Sequence, residues 1–351
     1  MRRFLFLCWA LLLLWSLGVA VAAGAERQQD AGPFAGTFLV VEPRGGNFAQ
    51  DQARLEVAFG FGSVKRAPGR ITLYVPTGFR IGAGALPGTP LGSGSILTAD
   101  PFEVLSGSIA AVPLDTDLVG RAQSCTDREP SAAWVLRIAG PERRLEVPLF
   151  VSLPQAGDPA GAALRVDLCL AALAPRSAAR TPVTLDIRFT FRHFASPATG
   201  GSYVWRAFVA PLGTDRRGLR PAAAYELRAT VPVPQRLTLS GRYLAKEGTV
   251  LLTGSLRARG RARTRVPIEL IRLDRVVTKR SAILRDAPLT VVRTSTKGTY
   301  TAKIPSRRTS GFLAYAWPVY SPCGASQIAP SGCLSNAIAG VESDPITVGV
   351  P

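Results

Sequence analysis

The chain is 351 residues long and carries 42 Lys and Arg against 24 Asp and Glu, a formal net charge of +18, with 47% apolar residues. The apolar content matches the globular average, which supplies one or two buried cores and excludes a disordered polymer; 28 Pro and 34 Gly add many turns without reaching the low-complexity range. The single histidine, His193, excludes multi-histidine metal sites and leaves a Ser-His-Asp triad only one candidate base.

Arg2 and Arg3, an apolar run from Phe4 to Ala23 and the small-residue stretch Ala20-Val21-Ala22-Ala23-Gly24-Ala25 predict a secretory signal peptide over 1–25. The polar Glu26-Arg27-Gln28-Gln29-Asp30 that follows favours cleavage after Ala25. The run is also long enough to span a bilayer, so a retained N-terminal anchor is the alternative. Cys8 leaves with the peptide if it is cleaved, and its flanks Phe6 and Leu7 do not suit a lipoprotein acceptor cysteine.

Beyond the signal, segments 53–61, 70–75, 132–139, 145–152, 163–170, 183–191, 202–209 and 224–231 alternate apolar with polar residues or are rich in β-branched and aromatic types. Period two predicts strands. Gly/Pro clusters at 82–94 and 157–161 separate them, and no stretch holds a helical period over twelve residues. The expected fold is all-β, with an N-terminal sandwich domain over 26–235. Asp115-Thr116-Asp117 reads as a turn; two carboxylates fall far short of a Ca²⁺ ligand set.

Pro232-Val233-Pro234 makes a stiff extended joint, and the text beyond it is more basic. Residues 236–351 hold 18 basic and 6 acidic residues, whereas 31–235 hold 21 and 16. Seven strands are predicted there, at 236–243, 249–257, 266–273, 288–295, 299–304, 312–319 and 345–350, a count that suits a second, immunoglobulin-like sandwich. The segments Leu237-Thr238-Leu239-Ser240-Gly241-Arg242, Val250-Leu251-Leu252-Thr253-Gly254, Val266-Pro267-Ile268-Glu269-Leu270 and Thr294-Ser295-Thr296-Lys297-Gly298-Thr299-Tyr300 resemble the bacterial Ig-like and carboxypeptidase-regulatory-like modules of secreted proteins. The resemblance covers 236–351 and implies a β-sandwich, with a Gly-ended turn and an aromatic opening a hairpin strand. It implies no activity, and the N-terminal domain resembles those of other secreted bacterial proteins only in general character.

Cys125, Cys169, Cys323 and Cys333 are an even number in a chain bound for an oxidising compartment, so disulfides are expected. Four cysteines allow three pairings; Cys125–Cys169 and Cys323–Cys333 keep each bridge inside one expected domain. The C-x₂-C spacing of a Cys₄ zinc site is absent. No metal or cofactor site is expected.

The sharpest local feature is Arg257-Ala258-Arg259-Gly260-Arg261-Ala262-Arg263-Thr264-Arg265. In an extended strand these five arginines share one face at a spacing of about 6–7 Å, a comb suited to phosphate, sulfate or carboxylate. The competing reading is a solvated hairpin tip between strands 249–257 and 266–273, supported by Gly260 and by a chain that uses Arg far more than Lys. Trp134 and Trp317 fall on the apolar sides of their strands; Trp205 stands beside Tyr203 and opposite Arg206, and its exposure would favour sugar stacking.

No G-x-S-x-G elbow, H-E-x-x-H or phosphate-cradling loop occurs, and His193 reads as a loop-edge residue. The expectation is therefore a secreted or cell-surface, non-enzymatic structural or binding module that contacts anionic wall polymers or polysaccharides through Arg257, Arg259, Arg261, Arg263 and Arg265. Nucleic acid is not expected, for want of any recognition pattern. Other proteins remain conceivable partners through free strand edges, and the membrane is one only if the N-terminal segment is retained. The alternative function is an extracellular hydrolase using paired carboxylates within 26–235.

Overall fold

The computed structural model describes residues 37–44, 54–62, 66–82, 84–99, 102–141, 144–170, 183–192, 194–213, 219–273, 288–321, 323, 326 and 329–351. The expected signal peptide with Cys8, and His193, lie outside the described residues. In chain order the elements are β1 (Thr37–Arg44), β2 (Arg54–Phe61), β3 (Pro68–Pro76), β4 (Arg80–Ile81), β5 (Pro90–Ala99), β6 (Phe102–Val112), α1 (Thr116–Gln123), β7 (Ala132–Ala139), β8 (Arg144–Ser152), β9 (Ala162–Cys169), β10 (Thr184–Phe191), β11 (Phe194–Ala195) and β12 (Gly201–Pro211). They continue with β13 (Tyr225–Val233), β14 (Gln235–Leu244), β15 (Thr249–Ala258), β16 (Arg261–Ala262), β17 (Pro267–Leu273), β18 (Pro288–Arg293), β19 (Thr299–Pro305), β20 (Ser310–Ala316), β21 (Val319–Ser321), β22 (Cys333–Ile338), β23 (Val341–Glu342) and β24 (Ile346–Val348). The fold is all-β.

Thirteen strands form one sheet in the order β1-β2-β10-β5-β6-β7-β8-β9-β3-β12-β13-β22-β21. Alternation puts every second side chain on its inner face. Leu55, Val57, Phe59 and Phe61 of β2 face inward, as do Ile71, Leu73 and Val75 of β3 and Leu227, Ala229 and Val231 of β13, all within one core. The sheet curls until β1 lies against β13 and β22. β1 is buried on both sides: Leu39 and Val41 enter the main core, while Phe38 and Val40 pack with Ala58 and Ala337 of β22.

A second core fills the space between two smaller sheets. One holds β14, β15, β16 and β19; the other holds β18, β17, β20, β23 and β24. Leu237, Val250, Leu252 and Tyr300 meet Ile268, Leu270, Phe312 and Val348 across it. Tyr300 Oη donates to the carbonyl of Thr238 at 2.6 Å, fixing the first strand of this sandwich to the strand pair two places along.

The expected boundary at 235 is crossed by the chain itself. β22 runs parallel to β13, with Arg228 beside Asn336 and Thr230 beside Ile338, and β21 pairs with β22, so these two late strands join the sheet built by the preceding segment. Glu42 of β1 accepts a hydrogen bond from Tyr315 of β20 at 2.5 Å, a second tie between the early strands and the late ones.

Among the described residues one α-helix, α1, stands among the strands. Asp115, expected in a turn, is its N-cap: the carboxylate accepts from the Leu118 amide at 2.8 Å, satisfying one of the orphan donors of the first turn. Asp117 sits in that turn and pairs with Arg121 one turn on. Eight residues are too few to show a helical period over a twelve-residue window.

Candidate functional site

The arginine-rich segment folds as a hairpin. β15 pairs with β16 through Arg257 opposite Ala262 and Ala258 opposite Arg261, leaving Arg259-Gly260 as a two-residue loop. Both loop residues have positive φ, 52° for Arg259 and 76° for Gly260. This is the pattern of a type I′ turn, whose twist matches that of the flanking strands. Residues directly opposite share a face, so Arg257 and Arg261 project from opposite sides of the ribbon. The comb expected on one face is therefore corrected: the left-handed pair at 259–260 reverses the chain in its middle. The hairpin partner differs too, since 267–273 crosses to the other sheet and pairs with β18 and β20.

Arg257, Arg259, Arg261 and Arg265 are exposed. None forms an ion pair among the described residues. Arg257 donates to the carbonyl of Gly260 at 3.1 Å, which rigidifies the loop. Arg263 is turned inward: it donates to the carbonyl of Ala339 at 3.2 Å, and burial lowers its guanidinium pKa. That carbonyl also receives the Gln235 side-chain amide at 3.1 Å, while the Ala339 amide donates to Thr230. Arg263 thus fastens the hairpin base to the point where the chain leaves the large sheet.

Arg259 and Arg265, the latter with φ 58°, are the two non-glycine residues with positive φ among the described residues. For an L-residue with a long side chain that conformation costs about 1–2 kcal/mol. Arg293 donates to the carbonyl of Arg265 at 3.1 Å and brings another exposed cation alongside. Arg236 of β14 stands directly opposite Arg257 on the outer face. Sequence reading passed over Arg236; the register of 236–243 against 249–257 was the signal that would have found it.

A second polar cluster sits on the outer side of β3 and β9. The buried Arg165 pairs with Asp167 at 2.8 Å and with Asp127, and Asp167 also accepts from Thr72 and Thr126. Arg128 grips Asp158 with two hydrogen bonds of 2.7 and 3.1 Å, and Tyr74 donates to the same carboxylate at 2.7 Å. Burial alone would raise the pKa values of Asp127 and Asp158, but the hydrogen bonds and charges of Arg165 and Arg128 outweigh it and hold both below the ordinary carboxylate value. A general acid needs the opposite shift. These carboxylates are positioned to pin the 124–131 and 153–161 loops, beside the Cys125–Cys169 disulfide. Cys323 and Cys333 form the other bridge.

Trp205 is fully buried, with its ring 5.2 Å from that of Phe79. The exposed sugar platform that it would have offered is not present. Trp134 is buried in the main core; Trp317 packs over Ile271, Leu273, Leu313 and Tyr315 and donates to Glu269 at 3.0 Å.

No protein-family model matches the chain. No curated protein matches it either. Among solved structures, the adhesive subunit CfaE of the CFA/I fimbria of enterotoxigenic Escherichia coli aligns at 10% identity over 81% of this chain and 93% of that one, with a TM-score of 0.15. A point mutant of the same adhesin aligns at 7% identity over 90% and 93%, also with a TM-score of 0.15.

Proposed function

We propose that the chain is a secreted or cell-surface, non-enzymatic binding module that contacts acidic polymers through the 257–265 hairpin. Arg257, Arg259, Arg261 and Arg265 supply the contact, and Arg263 sets the hairpin's base. Two disulfides fit an oxidising compartment.

The observation that carries the reading is Arg259 at the hairpin tip. A type I′ turn favours Asn, Asp or Gly at that position. A long cationic side chain there is a local strain of the kind that marks functional sites. The hairpin itself carries no competing acidic group: residues 248–268 contain no Asp or Glu. Exposed guanidinium groups without ion-pair partners gain from a phosphate, sulfate or carboxylate that neutralises them.

The test is binding of the purified protein to a panel of acidic polymers across a salt series, beside a variant with all five arginines from 257 to 265 changed to Ser. Binding that weakens steeply with salt and disappears in the variant supports the proposal. Affinity indifferent to salt, or retained by the variant, overturns it.

A further inference from the structure

The outward face of β14, β15 and β19 carries two adjacent rows of hydroxyl side chains, followed by a row in which Leu251 stands between Arg242 and Lys303. Thr238, Ser255 and Thr299 form one row across the three strands, and Ser240, Thr253 and Thr301 form the next. Neighbouring hydroxyls are linked: Thr238 with Ser255 at 3.0 Å and Ser240 with Thr253 at 2.8 Å. Cations stand at both ends. Arg236 and Arg257 flank the first row, and Arg242 and Lys303 the last, with Lys303 paired to Glu247 at 2.8 Å in the turn below. No acidic residue lies in these rows. The inner face of the same strands is occupied by Leu237, Val250, Leu252, Leu256 and Tyr300, so the sheet that carries the two hydroxyl rows is anchored in the core.

We infer that this outward face extends the arginine hairpin into a track for an acidic polysaccharide, an inference that rests on the polymer-binding reading above. Strand geometry sets its dimensions: rows about 7 Å apart, strands about 4.8 Å apart, and about 20 Å from Arg236 to Arg242. Arginine alone would grip any polyanion. A lattice of hydroxyls adds donors and acceptors together; the hydroxyl groups of a sugar chain meet both, whereas an ionised polyphosphate has no donors and meets only half of that capacity. The cations at the two ends then hold carboxylates of the same chain, and the like-charge opposition of Arg236 and Arg257 is relieved where one of them binds. Flat β faces bearing pre-ordered hydroxyls lose little side-chain entropy on binding, because β-branched threonines are already fixed at χ1.

The experiment compares polygalacturonate with inorganic polyphosphate, using the native protein, the double variant Thr253→Val with Thr301→Val, and Arg242→Ser. Valine keeps the shape and strand preference of threonine, and retained polyphosphate binding reports that the hairpin is intact. Loss of two hydrogen-bonding hydroxyls is expected to weaken polygalacturonate about tenfold and to leave polyphosphate within about twofold. Arg242→Ser, at the far end of the track, is expected to reduce affinity for long oligogalacturonates and to leave short ones unchanged. Unaltered polygalacturonate binding by both variants overturns the track while leaving the hairpin reading intact. Tighter binding of polyphosphate than of polygalacturonate by the native protein also overturns it. Failure of the native protein to bind either polymer removes the underlying reading itself.

Discussion

Arg236 on β14 and Arg257 on β15 stand directly opposite each other on one face of an antiparallel pair, with no acidic residue in register with either. Such an arrangement opposes folding, because directly opposed like charges on a strand pair are destabilising. Arg236→Thr is expected to raise stability by about 0.2–1 kcal/mol at low ionic strength. The gain should vanish near 1 M salt, where the screening length falls to about 3 Å. Urea midpoints of the two proteins at both ionic strengths decide it; a gain that survives high salt points to a cause other than charge.

The tip of the hairpin predicts a conflict between stability and binding. Arg259→Asn replaces a strained left-handed residue by one suited to a type I′ turn, and should stabilise the fold by about 0.5–1 kcal/mol. The same change removes an exposed cation, so polymer affinity should fall. A variant that is less stable than the native protein contradicts the strain at φ 52°.

Acid sensitivity follows from the arginine-paired carboxylates. Asp127 and Asp158 titrate below their ordinary value, and so does Glu226, where burial alone would raise the pKa but hydrogen bonds from Arg228 and Ser326 and the charge of Arg206 outweigh it. A carboxylate depressed in the folded state binds its proton more readily in the unfolded chain. Its stabilisation is complete above about pH 4–5 and is lost as pH falls through the depressed folded-state value. The thermal midpoint should be flat near neutrality and fall steeply in acid, and Asp158→Asn should flatten that fall while lowering the neutral-pH midpoint. An acid limb equally steep in the variant would assign the sensitivity to other groups.

The two disulfides close loops of different length, 44 residues for Cys125–Cys169 and 10 for Cys323–Cys333. Chain entropy makes the longer bridge worth about 4 kcal/mol and the shorter about 2.5–3 kcal/mol. Paired Cys→Ser variants measured by denaturant titration should rank in that order. The reverse ranking would mean that the short loop, which leads into β22, supports more of the sheet than its length implies.

Much of the strand content was legible in the sequence. Residues 132–139 coincide with β7, and 249–257 and 299–304 fall within a residue of β15 and β19, because one buried face makes the alternation explicit. β5 escaped notice, since Gly92 and Gly94 and two serines blunt its alternation, and β22 reads as Cys-Leu-Ser-Asn-Ala-Ile, whose apolar residues fall on both faces and mark neither. The hairpin at 257–265 shows the limit of spacing as a guide. Five arginines at every second position imply one face only while the chain stays extended, and Gly260, already visible, marked where it does not. Arg236 lay outside the run and needed strand register to be connected with Arg257. The partnership of β22 with β13 carried no local signal, since it depends on residues more than a hundred positions apart.

That partnership has a consequence for timing. Eleven of the thirteen strands in the large sheet precede Pro234, yet the last two, β22 and β21, come from residues 319–338. A chain emerging from its N-terminus onward therefore completes all but the final margin of this sheet and then waits for about a hundred more residues. During that interval β13 offers an open row of amides and carbonyls, and Phe38 and Val40 lack the cover that Ala337 later provides. Vectorial synthesis or export thus leaves a sticky half-product whose protection is encoded almost at the other terminus, and loss of the last few dozen residues exposes the oldest strand as well as the newest.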